Sequence, residues 1–172
     1  MKIAVMSDSH LKSGLMREAL QHLKAQGAQY LIHAGDLCTK ENLEILKEAN
    51  LPYVSVYGNN DASLIEYGHE FNIYKEPYLF KIKEVKFKLM HLPFYMAGDD
   101  PDVVIFGHTH IFEHDYKNET LFLNPGEICA REKPLSECVL LEINENEYII
   151  NYYYKDINTT HFEKKEILYE RK

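Results

Sequence analysis

Five short apolar runs, each halted by a polar cluster, limit what this chain can fold into more than any other feature. The runs are Lys2–Met6 and residues 30–34, 53–57, 85–90 and 103–106. Each is too short for a helix and is bounded by turn-forming or polar residues, so each reads as a strand, Lys2–Met6 and residues 103–106 as buried ones. The clusters that halt them are Ser7-Asp8-Ser9-His10, Gly35-Asp36, Gly58-Asn59-Asn60-Asp61, His91 and Gly107-His108-Thr109-His110. Residues 13–26 carry Leu15, Met16, Ala19, Leu20 and Leu23 at helical spacing, with Ser13 as a cap and Gly27 as a stop. Residues 40–49 form a second helix with Leu43, Ile45 and Leu46 inward. Strand and helix alternate here, which predicts a parallel sheet. Ligand sites in such sheets lie beyond the carboxyl ends of the strands, so the polar clusters belong on one rim.

Beyond Glu70 the pattern changes to strands. Residues 71–74, 78–82 and 85–90 are β-like, with Lys83-Glu84 as a turn. Residues 111–116, 120–124, 138–143, 148–154 and 161–165 are antiparallel in character, with hairpin turns at Asn118-Glu119 and residues 144–146. The expected fold class is α/β: two packed mixed β-sheets flanked by helices, an α/β/β/α sandwich. No repeat or linker interrupts the pattern, so residues 1–172 are expected to form a single domain.

The rim clusters offer two carboxylates (Asp8, Asp36), one amide oxygen (Asn59) and four imidazoles (His10, His91, His108, His110). Mixed oxygen and nitrogen ligands of this kind suit a pair of divalent cations. In D-x-H and H-x-H, residues two apart in an extended segment share a face, so both could reach one cluster. Asp36 stands alone after its strand, as a bridging carboxylate should. Singly, Asp8 reads as a helix cap and Asp36 as a turn residue. The joint pattern overrides those readings, because each motif falls at a strand end.

In this order the motifs resemble those of the calcineurin-like metallophosphoesterases, and most closely the small phosphodiesterases of the YfcE type. The likeness covers residues 1 to about 130 and includes Asn124-Pro125-Gly126. It implies that Asp8, His10, Asp36 and His110 hold one metal, and Asp36, Asn59, His91 and His108 the other. It implies Mn as the first candidate, with Fe, Ni or Zn as alternatives. The two cations would acidify a bridging water for in-line attack on a small phosphate-ester substrate. It places catalytic positions at Asn60 and Asp61. Two departures stand out. Asn60 occupies the place of the family's leaving-group histidine, and an amide is a poor proton donor. Pro93 replaces a second histidine, and the helix usual between His91 and Val103 is missing. Relatives of this type associate as dimers or tetramers. The same fold also serves as a non-catalytic scaffold in the retromer complex, which is the alternative function; a nuclease ranks behind both.

Composition excludes other classes. The net charge of -8, with 27 acidic and 19 basic residues, disfavours nucleic-acid backbones. Lys81, Lys83, Lys86 and Lys88 read as a solvated strand face rather than a basic stripe. Cys38, Cys129 and Cys138 do not form a disulfide framework. With no secretory signal and no span for a bilayer, a cytoplasmic protein is expected. His33 reads as a packed strand histidine, His22, His69, His114 and His161 as surface or structural, and Tyr152-Tyr153-Tyr154 as core packing ahead of a subunit contact. Arg131 reads equally as a surface residue or as a neighbour of the substrate phosphate.

Overall fold

The structure, a computed structural model, describes residues 1–171. In chain order its elements are β1 (Lys2–Met6), α1 (Ser13–Ala25), β2 (Tyr30–His33), α2 (Lys40–Glu48) and β3 (Tyr53–Val56). A 3-10 turn (Ala62–Tyr67) leads to β4 (Ile73–Tyr74), β5 (Tyr78–Ile82), β6 (Val85–Leu89) and β7 (Val103–Ile105). Then come β8 (Phe112–Lys117), β9 (Thr120–Pro125), β10 (Leu135–Ile143), β11 (Glu147–Asp156) and β12 (Glu163–Glu170). Seven strands form one sheet in the order β12-β11-β10-β1-β2-β3-β4, and five form another in the order β5-β6-β7-β9-β8. Strands β1 to β4 are parallel neighbours, as the strand–helix alternation predicts. The hairpins β8–β9 and β10–β11 turn where Asn118-Glu119 and residues 144–146 indicate.

Strand alternation sorts the core into layers. Ile3, Val5, Ile32, Val139 and Leu141 point from the larger sheet toward Phe87, Leu89, Val103, Ile105 and Leu123 of the smaller one. Their neighbours Ala4, Met6, Leu31, Cys138 and Leu140 point the other way, onto Met16, Leu20, Leu23, Leu43 and Leu46 of the helices. Each fully buried Leu or Ile contributes roughly 1.5–3 kcal/mol.

The two packed mixed sheets match the expected class, with a difference in the outermost layer. Both α-helices cover the larger sheet. On the far side, Met90, Val104, Phe106 and Phe122 are covered by the segment after His91, including Met96, and not by a helix. Lys88 corrects the solvated-face reading. It is buried, and its Nζ donates to Ala97 O at 2.7 Å and pairs with Asp99 at 3.0 Å. The ammonium therefore pins that segment to the sheet, while Lys81, Lys83 and Lys86 are exposed. Strand β9 also departs from expectation: it hairpins with β8 but lies parallel to β7. Among the described residues no helix is long and apolar enough to cross a membrane.

Candidate metal centre

Each functional cluster follows a strand that runs parallel to a neighbour: β1, β2 and β3 in the larger sheet, β6, β7 and β9 in the smaller one. The clusters meet at one rim. Asp8 N donates to Gly35 O at 3.1 Å and His10 N to Asp36 O at 2.9 Å, joining the loops after β1 and β2. Ile128 N and Cys129 N donate to Ser7 O and Asp8 O, both at 3.1 Å, bringing in the turn after β9.

The ligand loops are not extended, which corrects the reason given for D-x-H and H-x-H. Asp8, His10, His108 and His110 have φ of 54°, 45°, 69° and 60°, and Asp36 and Cys38 have 57° and 62°. Alternate left-handed residues, rather than strand pleating, turn these side chains to one side. Each costs about 1–2 kcal/mol outside glycine. Such strain concentrates where surrounding structure holds a functional geometry.

All seven expected ligand residues come together. His110 Nε2 lies 3.1 Å from Asp8 Oδ1, and His10 Nε2 lies 3.9 Å from the same oxygen. His10 Nε2 and His91 Nε2 lie 3.6 and 3.5 Å from Asp36 Oδ2. His91 Nε2 and His108 Nδ1 lie 2.9 and 3.1 Å from Asn59 Oδ1. Asp36 thus stands between a group of Asp8, His10 and His110 and a group of Asn59, His91 and His108. Asp8, Asp36 and His91 are buried, whereas His108 and Asn59 are exposed and leave the second group open to solvent.

The two positions expected to be catalytic separate. Asn60 is exposed, with its N–H 2.9 Å from Asp36 Oδ1 and its amide Nδ2 donating to Asp36 Oδ2 at 2.7 Å. Asp61 is fully buried and faces backbone. Its Oδ1 accepts from Cys38 N at 2.6 Å and its Oδ2 from Gly58 N at 2.8 Å. Asp61 therefore ties the loop after β2 to the loop after β3. Burial holds its pKa above the ordinary carboxylate value, against the pull of those backbone bonds.

Residues outside the seven ligand positions complete the site, and Glu127 among them has no signal in the motifs. Glu127, fully buried, accepts from His110 Nδ1 at 2.6 Å, from Cys129 Sγ at 3.2 Å and from the backbone N–H of Arg131, Glu132 and Lys133. Burial opposes its charge, but those bonds outweigh it and lower its pKa. With Nδ1–H given to Glu127, His110 turns Nε2 toward Asp8. His91 is fixed the same way, its Nδ1–H donating to Ala34 O at 2.8 Å. Such partners set the tautomer and basicity of metal-binding histidines. Asn124 holds the last ligand loop, donating to Gly107 O at 3.1 Å and Thr109 Oγ1 at 3.0 Å. His33 bonds Ser9 Oγ at 2.7 Å, and burial pushes its pKa down to about 3, so it is a packed neutral histidine as expected. Cys38 and Cys129 border the first group, but burial raises both thiols, Cys38 to about 12, so they are not reactive thiolates.

The residues fit a bound cation. Asp8 Oδ2 accepts from Ser7 Oγ at 2.6 Å and His108 N at 3.1 Å, but buried Oδ1 has no hydrogen-bond partner. A buried carboxylate oxygen without a donor is costly unless a positive charge sits beside it. Asp8, Asp36 and His91 form one cluster whose donor atoms lie within 4.8 Å of one another, and His10, His110 and Cys129 form another.

The chain is similar to known proteins over most of its length. The chain is 28% identical over 160 residues to phosphodiesterase MJ0936 of Methanocaldococcus jannaschii, covering 86% of this chain and 96% of that protein. The solved structure of an archaeal phosphodiesterase superposes with a TM-score of 0.74 at 25% identity, over 98% of this chain and 100% of that one. Wild-type Vps29 of Entamoeba histolytica complexed with Zn2+ superposes with a TM-score of 0.73 at 25% identity, over 96% and 99% of the two chains. Because residues 1–146 match the calcineurin-like phosphoesterase superfamily domain, this chain belongs to that superfamily.

Proposed function

We propose that this protein is a dinuclear-metal phosphodiesterase acting on a small phosphate ester. The observation that carries the reading is Asp36, a buried carboxylate set between two groups of nitrogen and oxygen donors. Asp8, His10, Asp36 and His110 would hold one cation, and Asp36, Asn59, His91 and His108 the other. When bound, two such cations neutralise phosphoryl oxygens and acidify a water for attack on phosphorus. Mn is the first candidate; Fe, Ni and Zn accept the same ligands.

The chain's own groups do the rest. Glu127 and Ala34 O hold two imidazoles with Nε2 inward. Asn60 holds both oxygens of Asp36 in place. As an amide it gives a leaving oxygen a hydrogen bond but no proton at neutral pH. Esters whose leaving groups depart unprotonated are therefore the favoured substrates.

The test is hydrolysis of bis-p-nitrophenyl phosphate and p-nitrophenyl phosphate by chelated protein, with and without Mn. The expected result is Mn-restored cleavage, faster for the diester. A non-catalytic scaffold is the second reading, favoured by the likeness to Vps29. Since that protein is described with Zn2+, metal content cannot separate the two. Full metal loading with neither ester cleaved would select the scaffold.

A further inference from the structure

Arg131 reaches the metal centre from the turn after Glu127. Its backbone N–H donates to Glu127 Oε2 at 3.1 Å, and Ala130 before it takes a left-handed φ of 53°. This fixes where the side chain starts. One arm of the guanidinium then points inward, with Nη2 3.0 Å from His110 Nε2. The other side faces solvent, Nε lying 3.4 Å from Glu132 Oε1, and the side chain is 55% exposed. The guanidinium therefore answers the demand for positive charge made by Asp8 and Glu127 around His110.

It cannot stay there with a metal bound. The lone pair of His110 Nε2 serves an N–H donor or a cation, not both. A guanidinium next to a dication is also repelled. Cation binding would release an arginine whose backbone stays anchored at the rim. Beside it is a groove of about 420 Å3 lined by His10, Leu11, Lys12, Cys129, Ala130 and Arg131. Lys12 is exposed there and adds a second positive charge, on a chain whose net charge of -8 otherwise repels an anion.

We propose that Arg131 is a substrate-binding residue, released from His110 by the incoming cation and then closing on the oxygens of the substrate's phosphate. The planar guanidinium offers two parallel N–H donors that match two phosphate oxygens, which a lysine ammonium does not. The proposal rests on the dinuclear reading of the site.

The test compares the parent protein with Arg131→Ala and Arg131→Lys. Calorimetry follows Mn binding to the chelated proteins, then inorganic phosphate binding to the Mn-loaded ones. Arg131→Ala is expected to bind Mn several-fold more tightly, because a competitor is gone. It should bind phosphate about 10–100-fold more weakly, the scale of a lost charge-assisted hydrogen bond. Arg131→Lys should recover only part of the phosphate affinity. Unchanged Mn affinity in Arg131→Ala, or unchanged phosphate affinity, overturns the proposal. If the parent itself takes up no Mn, the dinuclear reading fails first and the proposal falls with it.

Discussion

Asp36→Ala should leave the protein almost free of metal and slow ester hydrolysis by a factor on the order of 1,000 or more. The expectation follows from where the carboxylate sits. His10 and His91 approach the same Oδ2 from two sides, at 3.6 and 3.5 Å. Its two oxygens are also held by Asn60 N and Nδ2. Removing the carboxylate takes a ligand from both groups and leaves each with fewer negative charges to balance a dication. Asp8 would then be the remaining carboxylate among the seven residues. The variant also loses both Asn60 bonds and keeps a left-handed φ of 57° at position 36, so a melt of the metal-free protein accompanies the test to separate metal loss from unfolding. Metal content, measured by plasma emission after Mn loading and desalting, decides the matter. Parent-like content in Asp36→Ala would refute the bridging role; loss of one metal with the other retained would assign Asp36 to a single group.

The second large effect is steric. A methyl group at Gly58 would land on Asp36 Oδ1 and on the Asp36 backbone nitrogen. A backbone atom cannot move aside as a flexible side-chain tip can. Gly58 N also donates to Asp61 Oδ2 at 2.8 Å, so the loop after β3 is tied into the same knot. Gly58→Ala should cost about 3 kcal/mol. For a chain of this size that lowers Tm by roughly 6–12 °C. Gly14 is the control, because a methyl there in α1 meets nothing within 4 Å. Gly14→Ala should leave Tm unchanged or raise it slightly. Circular dichroism melts of the metal-free proteins test the contrast. Equal Tm for the two variants would show that the close approach of the β2 and β3 loops is not required.

The rim was legible in the sequence where chemistry and strand ends coincide. Asp8, His10, Asp36, Asn59, His91, His108 and His110 each follow an apolar run, and a parallel sheet carries such positions to one side. Glu127 was not legible. Its importance depends on β9 running parallel to β7, which delivers the following turn to the same rim. A hairpin signal at Asn118-Glu119 reports only the β8–β9 pairing. Asp61 was legible as part of a motif but not in its contacts, since nothing local tells that its carboxylate folds back onto Cys38 N and Gly58 N. The left-handed backbone at Asp8, His10, His108 and His110 was hidden as well, because these residue types carry no requirement for positive φ. Lys88 looked like its exposed neighbours, since alternation in β6 breaks where the segment after His91 folds over it.

The central claim is that two cations act together across Asp36. Its most direct test is a titration of chelated protein with Mn, following bis-p-nitrophenyl phosphate hydrolysis against equivalents bound. Little activity through the first equivalent, a steep rise through the second and a plateau at two per chain is the predicted result. A plateau reached at one equivalent, or hydrolysis that persists without metal, would contradict it.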